Sequence, residues 1–456
     1  MQKGNYSPPC FPANLWLHIQ DFRGFRGRSA ARSLFLGEEN IVKNTLLTAS
    51  IMAGLLGTSA SAQAVCENDV MVLAQPRDGL SLLEDYVDEF EELSGAGFQI
   101  DYLNENDRRA KSQADASTVG SFNVYYVDEA NLPLFASSDW IVPLEGYYPA
   151  EYDYEDFDAG MRTVASYEGK QWFAPIQGGG DLMVYRKDLL EAAGIAPPTT
   201  WEEFKAAVAA LHNPDAGIYG VALRGQRGSG ANVWRWLPLF AANGGKWVDE
   251  NGKFAFNSDA AVKATQEYLD LFQYSAPGTQ TGSFDESTGA FRSGKVALII
   301  ESAPLGAMSK DPSQSQVVDT VGFATPPSPL PGSGYAHGFA IASKANKTEA
   351  DKACAGLFVA WATSKEQEAR RLAAGQPGEL TRKSTYESPE YVATFGENLS
   401  LAMAETGAKT EVLFWQDPDW QELGNAWGIK LEEMITGSRT DIKGALDELE
   451  VLANGL

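Results

Sequence analysis

Five short apolar runs in this chain each lead directly into residues that can hydrogen-bond or carry charge. Val70–Ala74 is followed by Gln75, Arg77 and Asp78, Phe98–Tyr102 by the turn 104–107, and the run 123–127 by Asp128 and Glu129. The run 219–223 gives way to Arg224, Gln226 and Arg227, and the run 296–300 ends in Glu301 and Ser302. Any one of these fits a solvated loop. Together, alternating with helical patterns, they predict a parallel sheet with a polar cleft at its edge, because ligands of open α/β sheets bind outside the carboxyl ends of the strands. Carboxylates, amides and guanidinium groups gathered there suit a ligand rich in hydrogen-bonding groups, since charged hydrogen bonds are the stronger ones. Asp128 and Glu301 also allow a second chemistry, an acid and a base held roughly 5–10 Å apart across a glycosidic bond. Nothing in their local sequence marks either as the acid.

Other chemistries find little material. Three histidines and three cysteines in 456 residues leave few ligands for zinc or haem, and there is no phosphate-binding glycine loop and no Ser-His-Asp pattern. No cofactor and no metal are expected. The formal net charge of −25 argues against nucleic acid and anionic membranes, which need a basic surface to neutralise phosphates. The length predicts two or three domains, and 44% apolar content suits a soluble globular chain.

The elements that must position these residues centre on the stretch 168–204. A short strand over 171–176 meets three consecutive glycines, Gly178, Gly179 and Gly180, and a second apolar run over 182–185 follows at once. Glycine takes either sign of φ, so the run lets the backbone bend where other residues resist. A helix from Lys187 to about Ala193 is ended by Gly194, and Thr200-Trp201-Glu202-Glu203 reads as a capping box. The pattern fits an ordinary αβ unit with a flexible loop. It also fits a hinge, where the chain crosses from one lobe to another and lines the cleft between them.

The same stretch resembles the extracellular sugar-binding proteins that serve ABC importers. The matching residues are Gly169-Lys170, Pro175, Tyr185-Arg186-Lys187-Asp188-Leu189, Ala193-Gly194, Pro197-Pro198 and Thr200-Trp201-Glu202-Glu203. Arg186, where asparagine is commoner, is similar to the polyol-binding (sorbitol/mannitol) branch, as are Arg224, Gly225, Gly228, Gly230 and Asn232, Gly244-Gly245-Lys246-Trp247 and Phe256-Asn257-Ser258. Ser229 and Ala231 depart from the branch, which often carries Trp and Glu there. Further on, Gly375-Gln376-Pro377, Arg382-Lys383-Ser384 and Tyr386 also resemble the family.

The resemblance implies an α/β fold of two lobes, each a mostly parallel sheet flanked by helices, joined by a multi-strand hinge. Residues 65–176 and 335–384 would form the first lobe and 180–332 and 390–456 the second, with the hinge near 177–180, 333–338 and 384–390. It implies hydroxyl contacts from Asp128, Gln177, Arg224, Asn232 and Glu301, with Trp234, Trp247, Tyr185 and His337 as stacking or wall residues. For each tryptophan a place in the core competes with stacking, since indole carries both a large apolar face and a polar tip.

The front end reads as a leader. Lys43-Asn44 precedes the apolar run 45–56 and small residues ending Ala62-Gln63-Ala64, the pattern of a secretory signal peptide over 42–64. Val65 before Cys66 is too bulky for the usual lipidation site. Residues 1–41 are read as an upstream extension that is not translated, with the start at Val42 and a ribosome-binding-site-like codon run over 37–39. Removing residues 1–64 takes away six basic and three acidic side chains, which leaves a net charge of −28. Export to the periplasm would put Cys66 and Cys354 in an oxidising compartment where they can pair.

The leading reading is therefore a periplasmic substrate-binding protein, monomeric, that captures a sugar or sugar alcohol and delivers it to an importer's membrane permease. A secreted carbohydrate-active hydrolase is the enzyme alternative. A binder of the same fold for an oligosaccharide or peptide is the third.

Overall fold

The computed structural model describes residues 65–76, 79–375, 380–407 and 409–456. The extension 1–41, the leader 42–64 and most of the Gly375-Gln376-Pro377 motif lie outside the described residues. Strands β1 (Val70–Ala74), β2 (Phe98–Tyr102), β3 (Val124–Asp128) and β4 (Ile141–Val142) come first, then a small hairpin of β5 (Ser166–Tyr167) and β6 (Lys170–Gln171). The turn of that hairpin puts Glu168 and Gly169 at φ 50° and 74°. Next are β7 (Ala174–Gly179) and β8 (Asp181–Arg186), separated by Gly180 alone, then β9 (Tyr219–Val221), β10 (Val296–Ser302) and β11 (Val321–Ala324). The last three are β12 (Gly332–Ser333), β13 (Tyr335–Ala342) and β14 (Thr410–Glu411).

These strands build two main sheets. The first has the order β2-β1-β3-β13-β4 with β7 also paired to β13, and the second has the order β11-β8-β10-β9. The chain therefore passes from the first sheet to the second at Gly180 and returns between β11 and β13, where β12 pairs with β14 in a two-stranded ladder. Beyond β13, Leu372, Leu380 and Tyr391 pack in the core of the second sheet, while Arg382 between them donates to Thr363 O and Asp153 O.

The two-lobe α/β architecture is present, but the expectation of mostly parallel sheets needs correction. Only β1–β2, β1–β3 and β9–β10 are parallel within the main sheets. Strand β13 runs against β3, β4 and β7, and β8 runs against β10 and β11. Parallel neighbours arise from strand–helix–strand units. Strand β8 enters its sheet straight from β7 and β13 follows β12 directly, without such a unit, so both arrive antiparallel.

Side-chain alternation along the strands divides the core between the two faces of each sheet. Val70, Val72 and Ala74 join Phe90, Phe98, Phe339, Phe358 and Trp361 on one face of the first sheet, while Leu73 joins Tyr125, Phe135 and Phe173 on the other. In the second sheet Met183 and Tyr185 pack with Trp236, Phe240 and Trp427, whereas Leu182 and Val184 pack with Phe323 and Leu399. The helix Lys187–Ala193 ends at Gly194 with φ 67°, and Thr200 with Glu203 forms the capping box read from the sequence. A disulfide joins Cys66 to Cys354 on the helix Glu349–Ala362, with Cα atoms 5.0 Å apart. It ties the chain ahead of β1 to a helix 288 residues later.

Candidate functional site

A cavity of about 400 Å³ opens where the ends of β3 and β7 and the crossing strand β13 face the loop 224–231 and the end of β10. On the first-sheet side, the end of β3 carries the buried carboxylate of Asp128. Its Oδ2 accepts from Arg108 Nη2 and Arg109 Nε, both at 2.7 Å, and its Oδ1 accepts from the backbone N and Nδ2 of Asn131 at 3.1 and 2.6 Å. Burial alone raises a carboxyl's pKa; here the two guanidinium groups outweigh it and hold Asp128 well below the usual range. With four donors satisfied, Asp128 sits behind the wall and positions Arg109 and Asn131, which line it.

Glu129 lines the cavity beside it, 4% exposed, and its Oε2 accepts from Ala336 N at 3.2 Å. His337 Nε2 lies 3.5 Å from the same oxygen, and Gln177 Nε2 lies 3.0 Å from His337 Nδ1. An amide nitrogen can only donate, so Nδ1 accepts and the ring proton sits on Nε2, towards Glu129. Burial, only partly opposed by Asp128 and Glu105, pushes the His337 pKa down to about 3, so the ring is neutral. Burial and the adjacent Asp128 carboxylate push Glu129 up to about 8.

On the second-sheet side, Arg224 follows β9. Its Nε donates to Glu301 Oε2 at 2.8 Å, its Nη2 donates to Glu301 Oε1, and its Nη1 donates to Gly230 O at 3.0 Å. Glu301 also accepts from Ser302 N at 2.7 Å, and Arg235 stands behind it, 3.8 Å from Glu301 and 2.8 Å from Asp181. Burial works to raise the Glu301 pKa, but Arg224 and Arg235 outweigh it and hold it at about 2. Arg224 lies over the ring of Phe284, 5.2 Å from its centroid, and both line the cavity with Trp234 and Tyr335.

The loop 224–231 is seated on the helix Trp420–Ile435. Gly424 and Gly428, one turn apart, give it a flat face: a Cβ at Gly428 would meet Gly228 N at 2.4 Å and one at Gly424 would meet Ser229 Cβ at 2.9 Å. Asn425 accepts from Ser229 N at 3.1 Å, and Ser229 Oγ donates to Gln421 at 3.2 Å. Among the described residues no group of three or more His, Cys, Asp or Glu is placed to hold a metal ion.

Residues 74–369 match the model of the bacterial extracellular solute-binding proteins. The chain belongs to that family. A mannitol-binding protein of Pseudomonas aeruginosa is 33% identical over 302 residues, 64% of this chain and 68% of that protein. An erythritol/L-threitol-binding protein of Mycolicibacterium smegmatis is 20% identical over 391 residues, 81% of this chain and 82% of the relative. The crystal structure of an ABC transporter solute-binding protein from Agrobacterium vitis with bound D-mannitol has a TM-score of 0.75 at 25% identity, covering 85% of this chain and 97% of that one. A counterpart from Agrobacterium radiobacter in complex with ribitol gives 0.77 at 24% identity, covering 86% and 99%, a likeness of fold.

Within this solute-binding protein, Gln177, Arg224, Trp234 and His337, which the resemblance implied as hydroxyl contacts or wall residues, line the cavity. Asp128 and Glu301 do not; each is a buried counter-ion behind an arginine that does, because a buried carboxylate needs its charge met. The acid–base pair considered for a hydrolase is therefore not formed by them, as both are held ionised. Tyr185 is a core residue of the second sheet, its ring so close to Gly322 that a Cβ there would meet it at 2.5 Å. Asn232 is fully buried and donates to Gly225 O at 3.3 Å and Gly428 O at 2.8 Å, pinning the loop to the helix. Trp247 stacks on Phe256 at 5.0 Å and donates to Leu413 O at 2.7 Å, half-buried against the core.

The sequence reading missed Glu105, Arg109, Gln113, Glu129, Asn131, Phe284, Tyr335, Gln421 and Asn425, all of which line the cavity. Two signals were available. Glu129 sits at a strand end next to a residue that was chosen, and Glu105, Arg109 and Gln113 recur at i, i+4, i+8 after the polar turn at Asn104. Gln421 and Asn425 carried none, being some 190 residues from the loop they face.

Proposed function

We propose that this chain captures a small neutral polyol between its two lobes, in the periplasm, and delivers it to the permease of an ABC importer. One observation carries the reading. The cavity's wall is densely polar, yet its cations are already matched by carboxylates of the chain: Arg109 by Asp128 and Glu105, Arg224 by Glu301, Arg227 by Glu432. Such a wall offers oriented donors and acceptors with little net charge, which suits a ligand of many hydroxyls and no charge. A volume of about 400 Å³ favours a single sugar-sized molecule over an oligosaccharide or peptide. The relatives named for mannitol and for erythritol and threitol, and the neighbour holding D-mannitol, point the same way.

The proposed lobes are 65–176 with 335–384 and 180–332 with 390–456, closing on the hinge near 177–180, 333–338 and 384–390. Arg224 and Gln177 are proposed to bond ligand hydroxyls and Trp234 and His337 to wall the carbon skeleton, with Asp128 and Glu301 orienting the arginines. No catalysis is proposed, and a single copy suffices for capture. A thermal-shift panel of D-mannitol, ribitol, erythritol, maltose and short peptides tests this. A shift confined to the polyols is expected; a shift with peptides or maltose alone overturns the polyol reading, and turnover of glycosides by the pure protein overturns the binding role.

A further inference from the structure

We infer that Glu129 stands in the cavity as a neutral carboxylic acid and donates its O–H to a hydroxyl oxygen of the ligand. The geometry sets Glu129 apart from the other carboxyls of the site. Asp128 and Glu301 each engage two guanidinium groups, whereas Glu129, 4% exposed, accepts from its own backbone N–H and from Ala336 N at 3.2 Å, has the neutral ring of His337 at 3.5 Å, and among the described residues has no guanidinium at ion-pair distance. Arg108 and Arg109 are turned to Asp128, whose charge stands beside Glu129 and opposes a second one. A buried carboxyl in that position is cheaper protonated than ionised.

The charged and titratable groups around it are Asp128 on its own strand, Glu105, Arg108 and Arg109 on the helix Glu105–Ser117, His337 and Tyr335 on β13, and Arg224 across the cavity. Oε2 accepts from Ala336 N, and the side chain lines the cavity, so we assign the proton to the other oxygen, Oε1. There it supplies a donor within a wall otherwise rich in acceptors and arginines. Burial and Asp128 place its titration near pH 8. The donor is present below that pH and is lost as pH rises through it.

The ligand half of this inference rests on the polyol reading; the proton half does not. Infrared difference spectra between the wild type and Glu129→Gln, recorded without ligand at pH 7 and pH 10, read the proton directly. A protonated-carboxyl carbonyl band present at pH 7 and gone at pH 10 is expected. Its absence at pH 7 overturns the inference whatever the ligand. Calorimetric titration with D-mannitol and ribitol from pH 6 to pH 9 then reads the donor. For a group titrating near 8, about a tenth stays protonated at pH 9, so Kd for the wild type should rise about tenfold. The amide of Glu129→Gln donates at every pH, so its Kd should lack that rise. A flat wild-type profile, or the same rise in the variant, overturns the donor role. Failure of both polyols to bind at pH 6 overturns the polyol reading while the infrared result still judges the proton.

Discussion

Arg109, on the first-sheet side of the cavity, lies against Gly230 on the second-sheet side: a Cβ added at Gly230 would sit 3.2 Å from Arg109 Nη1 and 3.3 Å from Nη2. Gly230 is held from behind by Arg224, which donates to its carbonyl, so one bare backbone is sandwiched between arginines from both sides of the cavity. Arg109 itself is anchored by Asp128 and Glu105. A β-branched side chain at this point must displace a guanidinium that is tied at its other end. Gly230→Val is expected to weaken D-mannitol binding by about tenfold, or ~1.4 kcal/mol, while the thermal midpoint without ligand stays close to the wild type. Small-angle scattering should show a smaller ligand-induced contraction than in the wild type. Unaltered affinity and contraction would mean that this contact is not part of closure.

Arg224 and Glu301 make a sharp test of pairing. Arg224→Ala leaves Glu301 buried beside Arg235 alone, and breaking such a pair from one side costs about 3–5 kcal/mol of stability. Removing both partners should cost less than the sum of the two single changes, a coupling that urea unfolding of the double-mutant cycle would reveal. Additive losses would contradict the geometry.

The pH dependence of that pair has a definite sign. Glu301 titrates at about 2 in the folded chain, below its ordinary value near 4.5. A depressed carboxyl binds its proton more weakly folded than unfolded, so its contribution is complete above about 4.5 and is lost as pH falls towards 2. In Arg224→Met the acid-side decline should be shallower between pH 4.5 and pH 2, measured by unfolding midpoints across that window.

Trp247 is half-buried against the core and is not part of the cavity wall, packed among Phe240, Phe256 and Trp420. Trp247→Ala should lower the unfolding free energy by about 3 kcal/mol. Its effect on D-mannitol affinity should be small beside that of Arg224→Ala. A variant of normal stability that has lost binding would put the indole back in the site.

Reduction of the Cys66–Cys354 disulfide, or Cys354→Ala, should cost about 2–4 kcal/mol, since the link closes a loop of 288 residues in the unfolded chain. Peptide mapping without reductant should recover the two cysteines in one linked fragment. Separate fragments with both thiols free would show that the link does not form.

Much of the scaffold could be read from local pattern. The alternation along β1, the glycines between β7 and β8, Gly194 ending its helix and the Thr200–Glu203 capping box depend on a few neighbouring residues, so the sequence alone determines them. The same holds for the polar strand ends, of which Glu129 after β3, Arg224 after β9 and Ser302 at the end of β10 border the cavity. Partnership is a different matter. Asp128 and Glu301 look in sequence like ligand-facing carboxylates, and only the fold brings Arg109 and Arg224 in front of them. Trp234 and Trp247 are alike as residues, yet one lines the cavity and the other stacks on Phe256. Gln421 reaches the site because Gly424 and Gly428 let a distant helix lie flat under the loop 224–231. Helix caps and strand periods are short-range and survive in any context. Burial, charge pairing and protonation depend on which distant groups share a low-dielectric space, and that is decided only when the chain has folded.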